Sequence, residues 1–212
     1  MKQVMFLKSD GPATALRDTL LTHFASAPPA GCLAAAVNVV QPGAEPAPWD
    51  VVLELWLDRR NPAAPFALFG VIPPGTRIAA CLVEELVEKD EGPARGWPTP
   101  GIKMIVPWTG RADVPPHEQR RHWDEHVPLA NRIHVGVTRY VRNWIEQSTA
   151  SAPLPTPAWQ GIAMQSFASE ADLRDRLFDR PENVQVILDD VAEFIASHDA
   201  LVVTEYHVTA RN

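Results

Sequence analysis

The segment HWDEHVPLANR, residues 122–132, sets His122 and His126 four residues apart, with Trp123 beside the first and Pro128 two residues after the second. Imidazole is the side chain best suited to take and return a proton near neutral pH. One helical turn apart, the pair reads as a general acid/base, His126, with His122 as its partner or second proton carrier. Two neighbouring imidazoles repel as cations, so one is expected to stay neutral near pH 7. The same spacing could share a metal ion. The stretch lacks the glutamate that follows the first histidine in zinc peptidases. Spacing identifies no third ligand, although His117, His134, His198 and His207 exist. No metal is assigned. The competing reading is that such histidines are hydrogen-bonded core residues.

On a helical wheel over 117–133, Leu129, Ile133, His122, His126, Ala130, Trp123 and Val127 share an arc of about 160°. Arg120, Arg121, Asp124 and Glu125 take the other side. Both histidines are therefore predicted on the buried face, with Trp123 as a pocket wall. Pro128 removes an N–H, so the helix is expected to bend near His126. Farther on, VGVTRYVRNWI (135–145) reads as a strand, from which Tyr140 or Asn143 could hydrogen-bond a developing enolate. Tyr140 stacked on Trp144 is the alternative. The acidic doublets Asp189-Asp190 and Glu84-Glu85 read mostly as solvated surface. Asp190 falls at the edge of an apolar helix face, where it could cap or form a salt bridge, and only one of Glu84 and Glu85 can point inward from a strand.

The elements that position these residues form two ordered sets. VMFLK (4–8) matches MIVPW (104–108), and ATALRDTLLTHF (13–24) matches HEQRRHWDEHVPLAN (117–131). CLAAAVNVV (32–40), WDVVLELWL (49–57) and CLVEELVE (81–88) likewise match strand-like stretches in the second half. Strands are predicted near 3–8, 32–40, 50–57 and 77–87, then near 102–108, 135–146, 158–167 and 199–208. Ser169 with Asp172 suits a helix N-cap, and Pro181 opens a further helix with Val184, Ile187, Leu188, Val191, Phe194 and Ile195 on one side. Its counterpart, RRNPAAPFALFG (59–70), is broken by prolines and can hold only a turn or two.

Each half thus reads βαββαβ, a ferredoxin-like unit, with residues 1–92 as a degenerate copy and 99–210 as the clearer one. A sheet covered by helices on one face must bury the other, and two fused halves can do so by closing into a barrel. The predicted fold is α+β: tandem ferredoxin-like repeats forming an intramolecular dimeric α+β barrel. The working pocket is expected between helix 116–131 and the C-terminal sheet, because the first half offers only Thr22, His23 and Ser26 at the matching place.

Composition limits the function. A net charge of −7 without a Lys/Arg stripe argues against nucleic acid, and no apolar run approaches the roughly 20 residues that span a bilayer. The opening MKQVMFLKSDG does not read as a signal peptide, so a cytoplasmic location is the default. Cys32 and Cys81 would lie on opposite edges of one sheet and are expected to be free thiols.

The stretch from Ile102 to Trp144 resembles the EthD-domain family. The features are Lys103 on an opening strand, Trp123 on the first helix, His126-Val127-Pro128-Leu129-Ala130, and Arg139-Tyr140 with Asn143 on the next strand. WQGIAMQSFAS (159–169), DVAEFI (190–195) and VTEYHV (203–208) with Glu205 extend the likeness over about 101–208. The resemblance implies a dimeric α+β barrel ancestry and leaves open a homodimer of the pseudo-dimeric chain. It implies roles that include ether degradation and cofactor-free cyclases, dehydratases and decarboxylases. Together these readings suggest a cofactor-independent lyase or isomerase acting on a hydrophobic aromatic or polyketide-like carbonyl compound, with no cofactor. A non-catalytic small-molecule binding protein and a metal- or haem-binding barrel are the alternatives.

Overall fold

Strand β1 (Lys2–Lys8) buries both of its faces. Met5 and Leu7 join one apolar cluster, while Val4 and Phe6 join a second on the opposite side. A strand buried on both sides must lie between two layers, and this alternation recurs through the sheet. The computed structural model describes residues 1–28, 31–43, 47–58 and 71–209.

After β1 come α1 (Ala13–Ser26), β2 (Cys32–Val40), β3 (Val51–Leu57) and β4 (Arg77–Asp90). The second half contributes β5 (Ile102–Gly110), α2 (Pro116–Ile133), β6 (Val137–Ala150), β7 (Gly161–Phe167), α3 (Glu170–Arg176), α4 (Glu182–Ala192), β8 (Ile195–His198) and β9 (Leu201–Thr209). The strand order within the first half is β4-β1-β3-β2, and within the second it is β9-β5-β7-β6. These are the same ferredoxin-like order, taken in chain sequence.

The halves are joined at two seams. Strand β4 pairs antiparallel with β6 from Ala79↔Ala150 to Asp90↔Arg139, and β2 pairs antiparallel with β9 from Ala34↔Thr209 to Val40↔Val203. Each seam thus links the second strand of one half to the last strand of the other. Among the described residues this closes eight strands into an antiparallel α+β barrel, with helices outside. The long β4 and β6 exceed the predicted spans because each must cross the seam.

Two details depart from the sequence reading. Helix α4 stops at Ala192, so Phe194 and Ile195 do not continue its apolar face. Beyond the positions of β5 that pair with β9, Trp108–Gly110 still offer backbone groups, and β8 takes them. The Arg111 N–H also donates to the Phe194 carbonyl at 2.9 Å, while the Arg111 guanidinium bonds the Ala192 carbonyl at the helix end. Helix α2, by contrast, runs unbroken through Pro128. Ser169 caps α3 as expected, accepting from the Asp172 N–H at 3.1 Å. The expected turn over residues 59–70 lies outside the described residues. Cys32 and Cys81 are free and buried, and burial pushes both thiols up to about 11.

The barrel interior is not purely apolar. Lys103 donates to Glu54 and, at 2.7 Å, to Glu205. Lys2 lies 2.8 Å from Glu54 and donates to Glu85 at 2.7 Å. Asn38 and Thr99 add hydrogen bonds to Glu54 and Glu205. Burial pushes the Glu54 carboxyl up, but the Lys103 and Lys2 cations outweigh it and hold the group below its usual range. Two cations facing three carboxylates satisfy what a lone buried charge could not.

Candidate functional site

The outer face of the C-terminal sheet and helices α2 and α4 enclose a cavity of about 290 Å³. Parity selects its floor. On β5, Met104, Val106 and Trp108 face outward; on β7, Ala163 and Gln165 do; on β6, Tyr140 does. Helix α2 supplies Trp123 and His126, and α4 supplies Ile187, Leu188 and Val191. Leu177, Phe178, Phe194, Ile195 and Ala200, with His134 and His198, complete an envelope that is largely apolar.

The wall near Trp123 is built from edge-to-face aromatic rings. Trp108 meets Trp123 at 5.0 Å and 85°, and Phe194 at 5.4 Å and 86°. Gly161 makes this packing possible: a Cβ there would lie 2.6 Å from both the Trp108 Nε1 and a ring carbon of Trp123. Arg142 lies over the Trp123 ring at 5.1 Å, held by Asp124 at 2.7 Å and by Glu88.

His126 is buried on this wall, and its Nδ1 lies 2.6 Å from the Asp190 carboxylate on α4. A carboxylate only accepts, so Nδ1 carries the proton and Nε2 is left with a lone pair. No described residue bonds that Nε2. Burial lowers the His126 pKa, Asp190 partly opposes this, and Arg142 adds to the lowering. The ring is thus a neutral base at pH 7, with a carboxylate placed to stabilise it once it takes a proton.

Tyr140 lies below. Its oxygen accepts from the Trp123 Nε1–H at 3.3 Å, which leaves its own O–H to donate elsewhere. Burial pushes this phenol up to about 12, so it remains a donor at neutral pH. Gln165 lies nearby, buried, and its side-chain amide has no hydrogen-bond partner among the described residues. The site therefore combines a base, a phenolic donor and an amide within greasy walls.

Of the residues expected from the sequence, Trp123, His126 and Tyr140 line this one cavity. His122 and Asn143 do not. His122 is half-buried, stacks parallel to Phe194 at 6.3 Å and contacts Arg121 rather than the cavity. Asn143 points into the barrel and donates to the Ile162 carbonyl at 3.1 Å. Three residues along a strand from Tyr140, it must face the opposite side, an inconsistency the sequence already contained. Asp190, read as mostly solvated surface with a salt bridge as one option, is partly exposed and pairs with His126. Glu84 and Glu85 divide as a strand requires: Glu85 meets Lys2 and Trp56 at the barrel, while Glu84 meets Arg120 outside. His134 and Gln165 were missed as lining residues; the alternation of β7 signalled the second, while nothing local marked the first.

Among the described residues no three His, Cys, Asp or Glu side chains are arranged to hold a metal ion. No helix among them is long and apolar enough to cross a membrane.

Comparison with known proteins places this geometry. Residues 111–198 match the EthD domain. No curated protein matches the chain. Among solved structures, an anthrone oxidase-like protein covers 100% of the chain, and the match covers 94% of that protein, at 14% identity and a TM-score of 0.61. A proposed monooxygenase from Lactobacillus acidophilus shows 8% identity, a TM-score of 0.59 and coverage of 99% of this chain and 95% of its own. One from Fusobacterium nucleatum shows 9% identity, a TM-score of 0.57 and coverage of 100% and 94%. At such identities the likeness is one of fold.

Proposed function

We propose that this chain, which carries an EthD domain over residues 111–198, is a cofactor-independent acid/base enzyme of the lyase or isomerase type. Its substrate class is a hydrophobic aromatic or polyketide-like carbonyl compound. One observation carries the reading: the His126–Asp190 pair opens on an apolar cavity that also holds the Tyr140 phenol. The common first step is removal of a proton from a carbon next to the carbonyl or conjugated with it. The His126 Nε2 takes the proton, the C–H electron pair moves into the carbonyl, and the Tyr140 O–H bonds the oxygen as its charge develops. The imidazolium, stabilised by Asp190, then returns the proton to another carbon in an isomerisation, or to a departing hydroxyl in a dehydration. The ring wall orients the substrate and keeps water away.

We read residues 1–92 and 99–210 as tandem copies, the first serving to complete the barrel and the second carrying the site. Met5, Leu7, Leu16, Leu20 and Phe24 pack the outer face of the first half as an apolar cluster, which suits that division.

Anthrone, the compound in the name of one structural neighbour, is a suitable first probe because its methylene is acidic and conjugated with a ketone. In D₂O at neutral pD, exchange of that methylene followed by NMR should be faster with the protein than in buffer. Acid/base assistance contributes about 10²–10⁴-fold, and His126→Ala should lose it. His23→Ala should leave the rate unchanged. Exchange no faster than buffer across anthrone and simpler aryl ketones refutes the reading.

A further inference from the structure

His134 has no part in the proton transfer above, yet it lines the same cavity from the end of α2. Its Nδ1 lies 2.5 Å from the Leu177 carbonyl. A carbonyl only accepts, so here too Nδ1 must hold the ring proton and Nε2 must present a lone pair. Its ring packs edge-on to Phe178 at 5.2 Å, which fixes its plane. Nothing among the described residues bonds its Nε2. The cavity is lined by three imidazoles, His126, His134 and the exposed His198, and the first two are each locked by a different partner into the same tautomer. These two sit eight residues apart on α2, which corresponds to about 12 Å of helix.

A ligand that fills this cavity closes both Nε2 atoms off from solvent, and an acceptor buried without a donor is costly, so that ligand must bring hydrogen to both ends. We infer that His134 is a specificity-determining residue, and that the ligand of this cavity is an aromatic compound with a hydroxyl group at the end away from His126 and Tyr140, placed to donate to the His134 Nε2. The first oxygen-bearing end lies with His126 and Tyr140; the second lies with His134 beside Leu177 and Phe178. A purely apolar far end leaves the imidazole unpaired. An ether there meets lone pair with lone pair. The inference rests on the cavity being the ligand site of the proposed function, but it does not need turnover.

The test uses binding alone. Calorimetry at about pH 8, where imidazoles are neutral, would compare 2-naphthol with the 1,5-, 2,6- and 2,7-naphthalenediols and with the monomethyl ether of each diol. At least one diol should bind about five- to tenfold more tightly than 2-naphthol, the contribution of one buried neutral hydrogen bond. Its methyl ether should fall back to the 2-naphthol level or below. In His134→Asn the amide can still reach the Leu177 carbonyl from the Nδ1 position, but the Nε2 acceptor is gone. That variant should keep the 2-naphthol affinity within about twofold and lose the preference for the diol. Equal binding of diol, ether and naphthol in the wild-type protein overturns the inference, as does a preference that survives in His134→Asn or the failure of every probe to bind. Should His134→Asn not fold, the diol-to-ether comparison in the wild-type protein decides alone. A diol preference without anthrone exchange would sink only the catalytic reading, and exchange without a diol preference would sink only this one.

Discussion

Replacing Asp190 by asparagine separates what the carboxylate holds from what its charge does. The Asn Oδ1 can still accept from the His126 Nδ1–H, so the 2.6 Å contact and the ring orientation survive. What disappears is the attraction for the imidazolium formed when Nε2 takes a proton. A charge-assisted hydrogen bond contributes about 1.5–3 kcal/mol. The Asp190 side chain is 36% exposed, so solvent screening reduces this to about 1–2 kcal/mol. That corresponds to a fall in kcat of about 5- to 30-fold with little change in KM. Asp190→Ala, which also frees the ring, should fall further. The same energy can be read without a substrate. Burial depresses the His126 pKa and Asp190 partly restores it, so NMR titration of the Asp190→Asn variant should place the imidazole still lower. The acid limb of the activity profile should move to lower pH with it. Asp189, which bonds Gln185 on the exposed side, is the control and should be silent when changed to Asn. An unchanged His126 titration in Asp190→Asn, or equal activity in the Asn and Ala variants, would refute the dyad.

Other consequences concern the fold around the site. Glu54→Gln leaves the Lys2 and Lys103 cations short of a carboxylate inside the barrel, and breaking such a network costs about 3–5 kcal/mol. At about 2–4 °C per kcal/mol, the melting temperature should drop by about 6–20 °C; a drop below about 2 °C would mean the charges are not buried as described. Gly161→Ala drives a methyl group into Trp108 and Trp123, so a loss of about 1–3 kcal/mol in urea denaturation is expected, together with an altered near-ultraviolet tryptophan spectrum. Burial lowers the pKa of His126, His134 and His207 in the folded chain. Their contribution to stability is complete above the ordinary imidazole value of about 6.5 and is lost as pH falls from there through the folded values, because the unfolded chain takes up protons first. Denaturation midpoints at about pH 8 and pH 5 measure this, and a midpoint that rises on acidification contradicts it.

The barrel was legible because the βαββαβ order recurs along the chain, and a sheet covered by helices on one face must bury the other. The order of elements then leaves few ways to close the sheet. Chemistry was legible where one element carried it, as with Trp123 and His126 on a single apolar face of α2. It failed where partners came from elsewhere. Asp190 is 64 residues from His126 in the chain, and on its own helix it resembles any other acid at the margin of an apolar stripe. Lys103 and Glu205 were noted only as pieces of a family pattern. That they meet inside the barrel depends on β5 lying beside β9, which a sequence pattern does not state. The end of α4 was misread for a different reason. Phe194 and Ile195 fit the helical period, but an open stretch of β5 offered them backbone hydrogen bonds, and that competition is tertiary.

The two halves share one topology and differ in what lies between helix and sheet. In the first, α1 sends Leu16, Leu20, Leu21 and Phe24 onto the outer faces of β1 and its neighbours, and branched aliphatic chains interdigitate into a continuous apolar cluster. In the second, α2 places Trp123 and His126 on the corresponding face. There Trp108, Trp123 and Phe194 pack edge-to-face. They lean on one another, and the space they leave is walled by Ile187, Leu188 and Val191 of α4. Rings therefore stand where the first half has mostly aliphatic chains, and His126 lines the cavity they border. The closed barrel beneath is indifferent to the exchange, because its seams and its ion network depend on the inward-facing residues alone. The chain thus joins a first half packed mainly with aliphatic side chains to a second half whose rings border the cavity that His126 lines.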